Sequence, residues 1–168
     1  MAGLKFLSPI VIILLICSFA VGGCKQGNPE ITTSITLSNI TEEEYSQIGY
    51  SKKFEDTTIN DLRKLYIDVK ITNSKKATKR TITIPNLFII DKYDRFRTIG
   101  GGTSEQNNIG IEDAAKSTAY IIFDSRGLNE QDLRNIYDNS EIYIAYKLKN
   151  SDLVEKRVSI GDNLKTNE

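Results

Sequence analysis

Hydrophobic positions fall along this chain in two patterns. Near the N-terminus they are continuous: no residue from Phe6 to Val21 is charged, and Ile10 to Ile16 is unbroken. From Ile31 onward they alternate. Ile31, Ile35 and Leu37 are separated by Thr32, Ser34, Thr36 and Ser38, which predicts a first strand. Leu65, Ile67, Val69 and Ile71 face one way, and Tyr66, Asp68, Lys70 and Thr72 the other. A period of two held over that length is the mark of a half-buried strand. Thr81 to Ile84 alternates again and stops at Pro85-Asn86. The continuous run Leu87 to Ile90 predicts a core strand, Asp91 to Asp94 a turn, and Arg95 to Ile99 a further strand. Ala119 to Phe123 predicts another core strand. Ile142, Ile144, Tyr146 and Leu148 share one face of the next, and Val154, Val158 and Ile160 mark a closing strand. Asn73 to Lys76 and Asn150 to Asp152 supply turns.

Helical spacing is confined to two places. Thr41 with Glu44 has the form of a capping box, and Ile40 and Tyr45 are placed as a staple across it. That segment reads either as one or two helical turns or as a glutamate-rich loop. Asn129 is a good N-cap, Glu130 and Asp132 suit a helix start, and Leu133, Ile136 and Tyr137 recur at helical spacing. A short helix is expected over Asn129 to Asp138. Between these, residues 49–64 read as a long polar connection with an edge strand near Tyr50 to Phe54. Gly100 to Asn108 reads as a mobile, glycine-led loop. Short strands at about ten-residue spacing imply an all-β sandwich or barrel.

The continuous N-terminal run needs a separate account. Lys5 precedes it, no acidic residue occurs before Glu30, and small residues stand before Cys24. These are the parts of an export signal. Val21-Gly22-Gly23-Cys24 resembles the lipobox of bacterial lipoproteins. The resemblance implies a diacylglyceryl group on the Cys24 thiol and cleavage between Gly23 and Cys24. Cys24 would then be the first residue of the mature chain. A spanning helix needs about 20 apolar residues, and this run is shorter and holds Pro9. Each buried acyl methylene is worth about 0.8 kcal/mol, so two or three chains give a stable anchor. Lys25 follows the anchor and suits an anionic surface.

Composition narrows the chemistry. Cleavage before Cys24 leaves 145 of the 168 residues, enough for one domain with its own core. The 22 basic and 22 acidic residues cancel, so nothing points to nucleic acid. The cysteines are Cys17, lost with the signal, and Cys24, so the mature domain has no disulfide. The chain has no histidine. That removes Cys/His zinc sites, nucleophiles served by a histidine base, and histidine-ligated haem.

The segments Leu65 to Asn73, Leu87 to Asp91, Ser117 to Asp124 and Ile142 to Tyr146 resemble the telokin-like immunoglobulin-fold domain. Lipoproteins and secreted proteins of Gram-positive bacteria often carry that domain. Asp91-Lys92-Tyr93-Asp94 stands where the family usually has Asp-x-x-Gly. The resemblance implies an immunoglobulin-like antiparallel sandwich, and the family offers no catalytic residues to carry over. The expected organisation is a signal helix over 1–23, an acylated Cys24 and flexible tether over 24–30, the sandwich over 31–161 with one or two short helices, and a polar, frayed tail over 162–168.

Other candidate sites have plain structural readings. The Gly100 triplet lacks the Gly-Lys-Thr/Ser ending of a phosphate loop. Asp91, Asp94, Glu112, Asp113 and Asp124 would make a calcium site only if they converged, and aspartates are ordinary turn residues. Tyr66, Tyr120, Tyr143 and Tyr146 would form either an aromatic contact surface or the cover of a sheet face. The expected role is a non-catalytic binding or structural module, with no cofactor or metal, held at the outer face of the cell membrane by its lipid. It would engage an envelope protein through strand edges or loops. The alternative classes are a carboxylate-based hydrolase or transferase acting on envelope material, and a small solute-binding lipoprotein.

Overall fold

The computed structural model describes residues 27–48 and 56–167. The signal segment, Gly23, Cys24 and the edge strand expected near Tyr50 to Phe54 lie outside these residues. Among the described residues eight strands form two sheets: β1 (Glu30–Asn39), β2 (Leu62–Thr72), β3 (Ala77–Thr83), β4 (Thr98–Gln106), β5 (Ala115–Asp124), β6 (Glu141–Leu148), β7 (Leu153–Ser159) and β8 (Lys165–Asn167). One sheet has the order β4-β5-β2-β1-β8 and the other β3-β6-β7. Lettered A to G in chain order, the first seven strands give the ABED and CFG sheets of a constant-type immunoglobulin sandwich. Three short helices accompany them: α1 (Glu42–Gln47), α2 (Glu130–Ile136) and α3 (Ile160–Asn163). None of the described helices is long and apolar enough to cross a membrane.

The core lies where the alternation places it. Leu65, Ile67, Val69 and Ile71 on β2 are at most 1 % exposed, and Ile142 and Ile144 on β6 face them from the other sheet. Burying one such side chain contributes roughly 1.5–3 kcal/mol. A smaller cluster of Ile40, Leu62 and Ile122 sits on the outer face of the first sheet. The capping box expected at Thr41 and Glu44 is formed, and the Asn129 N-cap makes a second one with Asp132. Thr41 N–H donates to Glu44 and Glu44 N–H to Thr41 Oγ1, with Asn129 and Asp132 exchanging the same bonds at α2.

Four expectations are corrected. Leu87 to Ile90 is not a strand but the start of a 3-10 turn over Leu87–Lys92. Pro85 offers no N–H for a ladder, and the Asn86 side chain accepts a hydrogen bond from Phe88 N–H, which starts the turn. Leu87 and Ile90, three residues apart, then reach the core, while Phe88 is exposed. The glycine-led loop is a strand: Gly100, Gly101 and Gly102 pair with Ile122, Ile121 and Tyr120 of β5. The strand foreseen at Arg95 begins at Thr98 instead. The C-terminal tail is not frayed. Ile160 and Leu164 are buried, Arg134 donates to the carbonyls of Gly161 and Leu164, and β8 adds to β1 in parallel.

Candidate functional site

The sandwich has two ends and an open side. β1 begins at one end, the near pole, where the β2–β3 turn, the β4–β5 loop and the β6–β7 hairpin also lie. The far pole holds α1 and the 3-10 turn of residues 87–92. Along the open side runs β4, the edge of the first sheet, beside the segment that leaves β3.

An edge strand exposes unpaired backbone donors and acceptors, and proteins usually blunt it. Here β3 carries Lys79 and a bulge between Ala77 and Lys79. β7 carries Glu155, Lys156 and Arg157, and β8 is three residues long with Lys165. β4 is different. Its register shift lies at the start, between Thr98 and Gly100, and its one charge, Glu105, near the end; between them it runs in unbroken register without Lys, Arg or Pro. Its backbone is nearly bare at the three glycines.

Beside this edge lies a groove of about 520 Å³. Ile84, Pro85, Leu87 and Phe88 form one wall, Gly101 and Thr103 another, and Ala119 and Ile121 the floor. No charged side chain lines it among the described residues. Position 101 puts no side chain into it. A Cβ there would lie 2.8 Å from the Tyr120 carbonyl oxygen, 3.2 Å from Ile121 Cγ2 and 3.5 Å from Phe88 Cζ. Gly102 faces the other way, under the Tyr120 ring, 2.9 Å from where its Cβ would be. Phe88, Tyr93 and Phe96, all in the β3–β4 connection, are about half exposed. The glycine triplet therefore acts through a strand edge, which a reading of glycines as loop residues misses. Alternation from Thr98 to Gln106 would have been the signal, but a glycine has no face.

The acidic residues do not converge. Asp91, Asp94 and Asp124 lie at the far pole, tied to arginines. The Arg97 side chain, 1 % exposed, donates to both Asp94 oxygens at 2.7 and 2.6 Å and to the Asp124 and Arg126 carbonyls. Asp91 accepts from the N–H groups of Arg97 and Thr98. Asp124 is buried and accepts from Arg126 and Arg95. Burial works against its charge, but the Arg126 hydrogen bonds and the Arg126 and Arg95 charges outweigh it and hold the carboxyl below its ordinary range. Asp94 is lowered chiefly by the Arg97 hydrogen bonds. Glu112 and Asp113 are at the near pole, where the Glu112 carbonyl accepts from Arg80 and Asp113 from Ser74 and Lys75. Among the described residues no group of three or more carboxylates, histidines or cysteines is placed to hold a metal.

The four tyrosines are likewise dispersed. Tyr66 and Tyr120 are cross-strand partners on the outer face of the first sheet, under Lys64 Nζ at 5.5 and 4.9 Å from their rings. Tyr143 is on the other sheet, hydrogen-bonded to Glu155, and Tyr146 packs on the core. Tyr137 is the buried tyrosine that spans the fold: its hydroxyl donates to the Leu87 carbonyl at 2.6 Å, and burial, with the Asp91 charge, raises its pKa above the ordinary phenol value. Compared with known proteins, the chain matches no family model, no curated protein and no solved structure.

Proposed function

We propose that this chain is a lipid-anchored extracytoplasmic lipoprotein whose sandwich is a non-catalytic binding module, and that it takes its partner along the open β4 edge. The observation that carries the reading is the contrast among edges. Among the described edges, β4 combines a stretch from Gly100 to Ser104 free of charge and bulge, a neighbouring apolar groove and exposed aromatic residues. Strand addition draws affinity from main-chain hydrogen bonds and specificity from pockets for alternate side chains. The groove supplies such pockets beside the edge. The aspartates that an enzyme would need are engaged by arginines and backbone N–H groups rather than directed into the groove. The lipobox resemblance at Val21-Gly22-Gly23-Cys24 supports the anchor, and the domain resemblance supports a module without catalytic residues.

Hydrogen exchange tests the binding half. The outward amides of Gly100 to Gln106 exchange freely in the purified protein and become protected in the envelope-bound form. Thr103→Lys, which installs the blunting charge that other edges carry, abolishes that protection. Equal exchange in both forms contradicts the reading.

A further inference from the structure

The exposed apolar side chains divide by kind between the two poles. The aromatic ones, Tyr45, Phe88, Tyr93 and Phe96, belong to α1 and the β3–β4 connection. The aliphatic ones, Ile109, Ile111, Leu153 and Val154, belong to the β4–β5 loop and the β6–β7 hairpin at the near pole. Ile111, at 76 %, is the most exposed large hydrophobic among the described residues. Isolated exposed aliphatics are common. Gathering them at the pole where the chain enters is what asks for an explanation.

That pole is also where a lipid on Cys24 would hold the protein. Cys24 is three Cα–Cα steps from Gly27, with Lys25 and Gln26 between them, a reach of at most about 11 Å. Gly27 stands against Asn73 of the β2–β3 turn, 3.5 Å from Asn73 Nδ2 to where a Cβ would be. The turn is bonded to the β4–β5 loop: Ser74 N–H donates to the Asp113 carbonyl at 2.9 Å and Lys75 N–H to Asp113 Oδ1 at 3.0 Å. The buried Arg80 guanidinium joins them further, through Ser74 Oγ, Asn107 Oδ1 and the Glu112 carbonyl. From the anchor to Ile111 there is thus a short tether followed by a braced assembly. The flexible tether expected to lift the domain away has little length left to do so.

We propose that Ile109 and Ile111 insert into the headgroup–acyl boundary of the membrane that holds Cys24. The inference rests on the lipoprotein reading. The occupant is the lipid surface, and the length of chain between anchor and fold selects it. Interfacial apolar groups sit roughly 5–10 Å into that boundary. The exposed Lys75, Lys76 and Lys149 can keep their heads in water above it. Glu112, Asp113 and Asp152 balance these lysines, so insertion is driven by apolar burial. The sandwich then stands on its near pole, with the aromatic residues and the groove side held clear of the bilayer.

The chain has no tryptophan, so a single one is a clean reporter. The acylated full chain carrying Asn108→Trp, with Ile109 and Ile111 intact, is reconstituted into phosphatidylcholine vesicles containing lipids brominated near the carbonyls. Its fluorescence is quenched several-fold more strongly than that of Tyr93→Trp at the far pole, and adding Ile109→Ser with Ile111→Ser removes the difference. Equal quenching at the two sites, or quenching indifferent to the serines, overturns the inference while a diacylglyceryl mass on Cys24 leaves the anchor standing. An intact mass without that group overturns both.

Discussion

At the residue scale, two positions carry sharp consequences. Gly101 has no room for a methyl group, because the nearest atom is a backbone oxygen that cannot swing aside. Gly101→Ala is expected to cost about 1–3 kcal/mol, as overpacking does, and to narrow the groove. Gly100 has nothing within 4 Å of its Cβ position, so Gly100→Ala stays within about 0.5 kcal/mol. Urea denaturation of the two variants side by side measures the difference. Asp124 gives a pH signature. Its folded pKa lies below the unfolded value because arginines favour the ionised form despite burial. Its contribution is therefore present above the ordinary aspartate range and is lost as pH falls through the folded value. Stability measured from pH 6 down to about pH 2 should drop across and below that range, and Asp124→Asn should flatten the drop while lowering stability at neutral pH.

At the scale of elements, legibility followed side-chain alternation. β2 and β6 could be read because alternate residues are large and apolar and must leave water. Leu65, Ile67, Val69 and Ile71 of β2 and Ile142, Ile144 and Tyr146 of β6 pack in the core. The Asn129 helix start could be read, and the Thr41 start stood as one of two readings, because capping is local chemistry between residues three apart. Elements without that information were misread. β4 has glycines in the middle, and its pairing is supplied by β5. Residues 87–90 are apolar enough for a strand, yet Pro85 and Asn86 turn them. β8 is polar and is held by its neighbours: Leu164 is 3 % exposed, and Arg134 grips the carbonyls around it. Removing residues 164–168 should therefore cost about 2–3 kcal/mol through the lost leucine burial, measurable as a lower denaturation midpoint. A frayed tail would give no shift.

At the scale of the molecule, the immunoglobulin arrangement separates two poles and an open side. The near pole receives the chain from Cys24, the far pole is locked by arginine–aspartate pairs, and the open side offers β4. The proposed anchor rests on residues 21–24 alone, since a processing signal is a linear pattern. The groove beside β4 was not legible in the sequence, because it is assembled from residues 84–88, 101–103 and 119–121. The measurement that tests the account most directly is site-specific photocrosslinking in the membrane-bound protein, with the reactive group at Thr103 on the β4 edge and at Lys156 on the β7 edge. The account predicts that Thr103 captures one extended segment of a single polypeptide, whose crosslinked residues alternate, and that Lys156 captures nothing specific. Specific capture at Lys156 with none at Thr103 would contradict it.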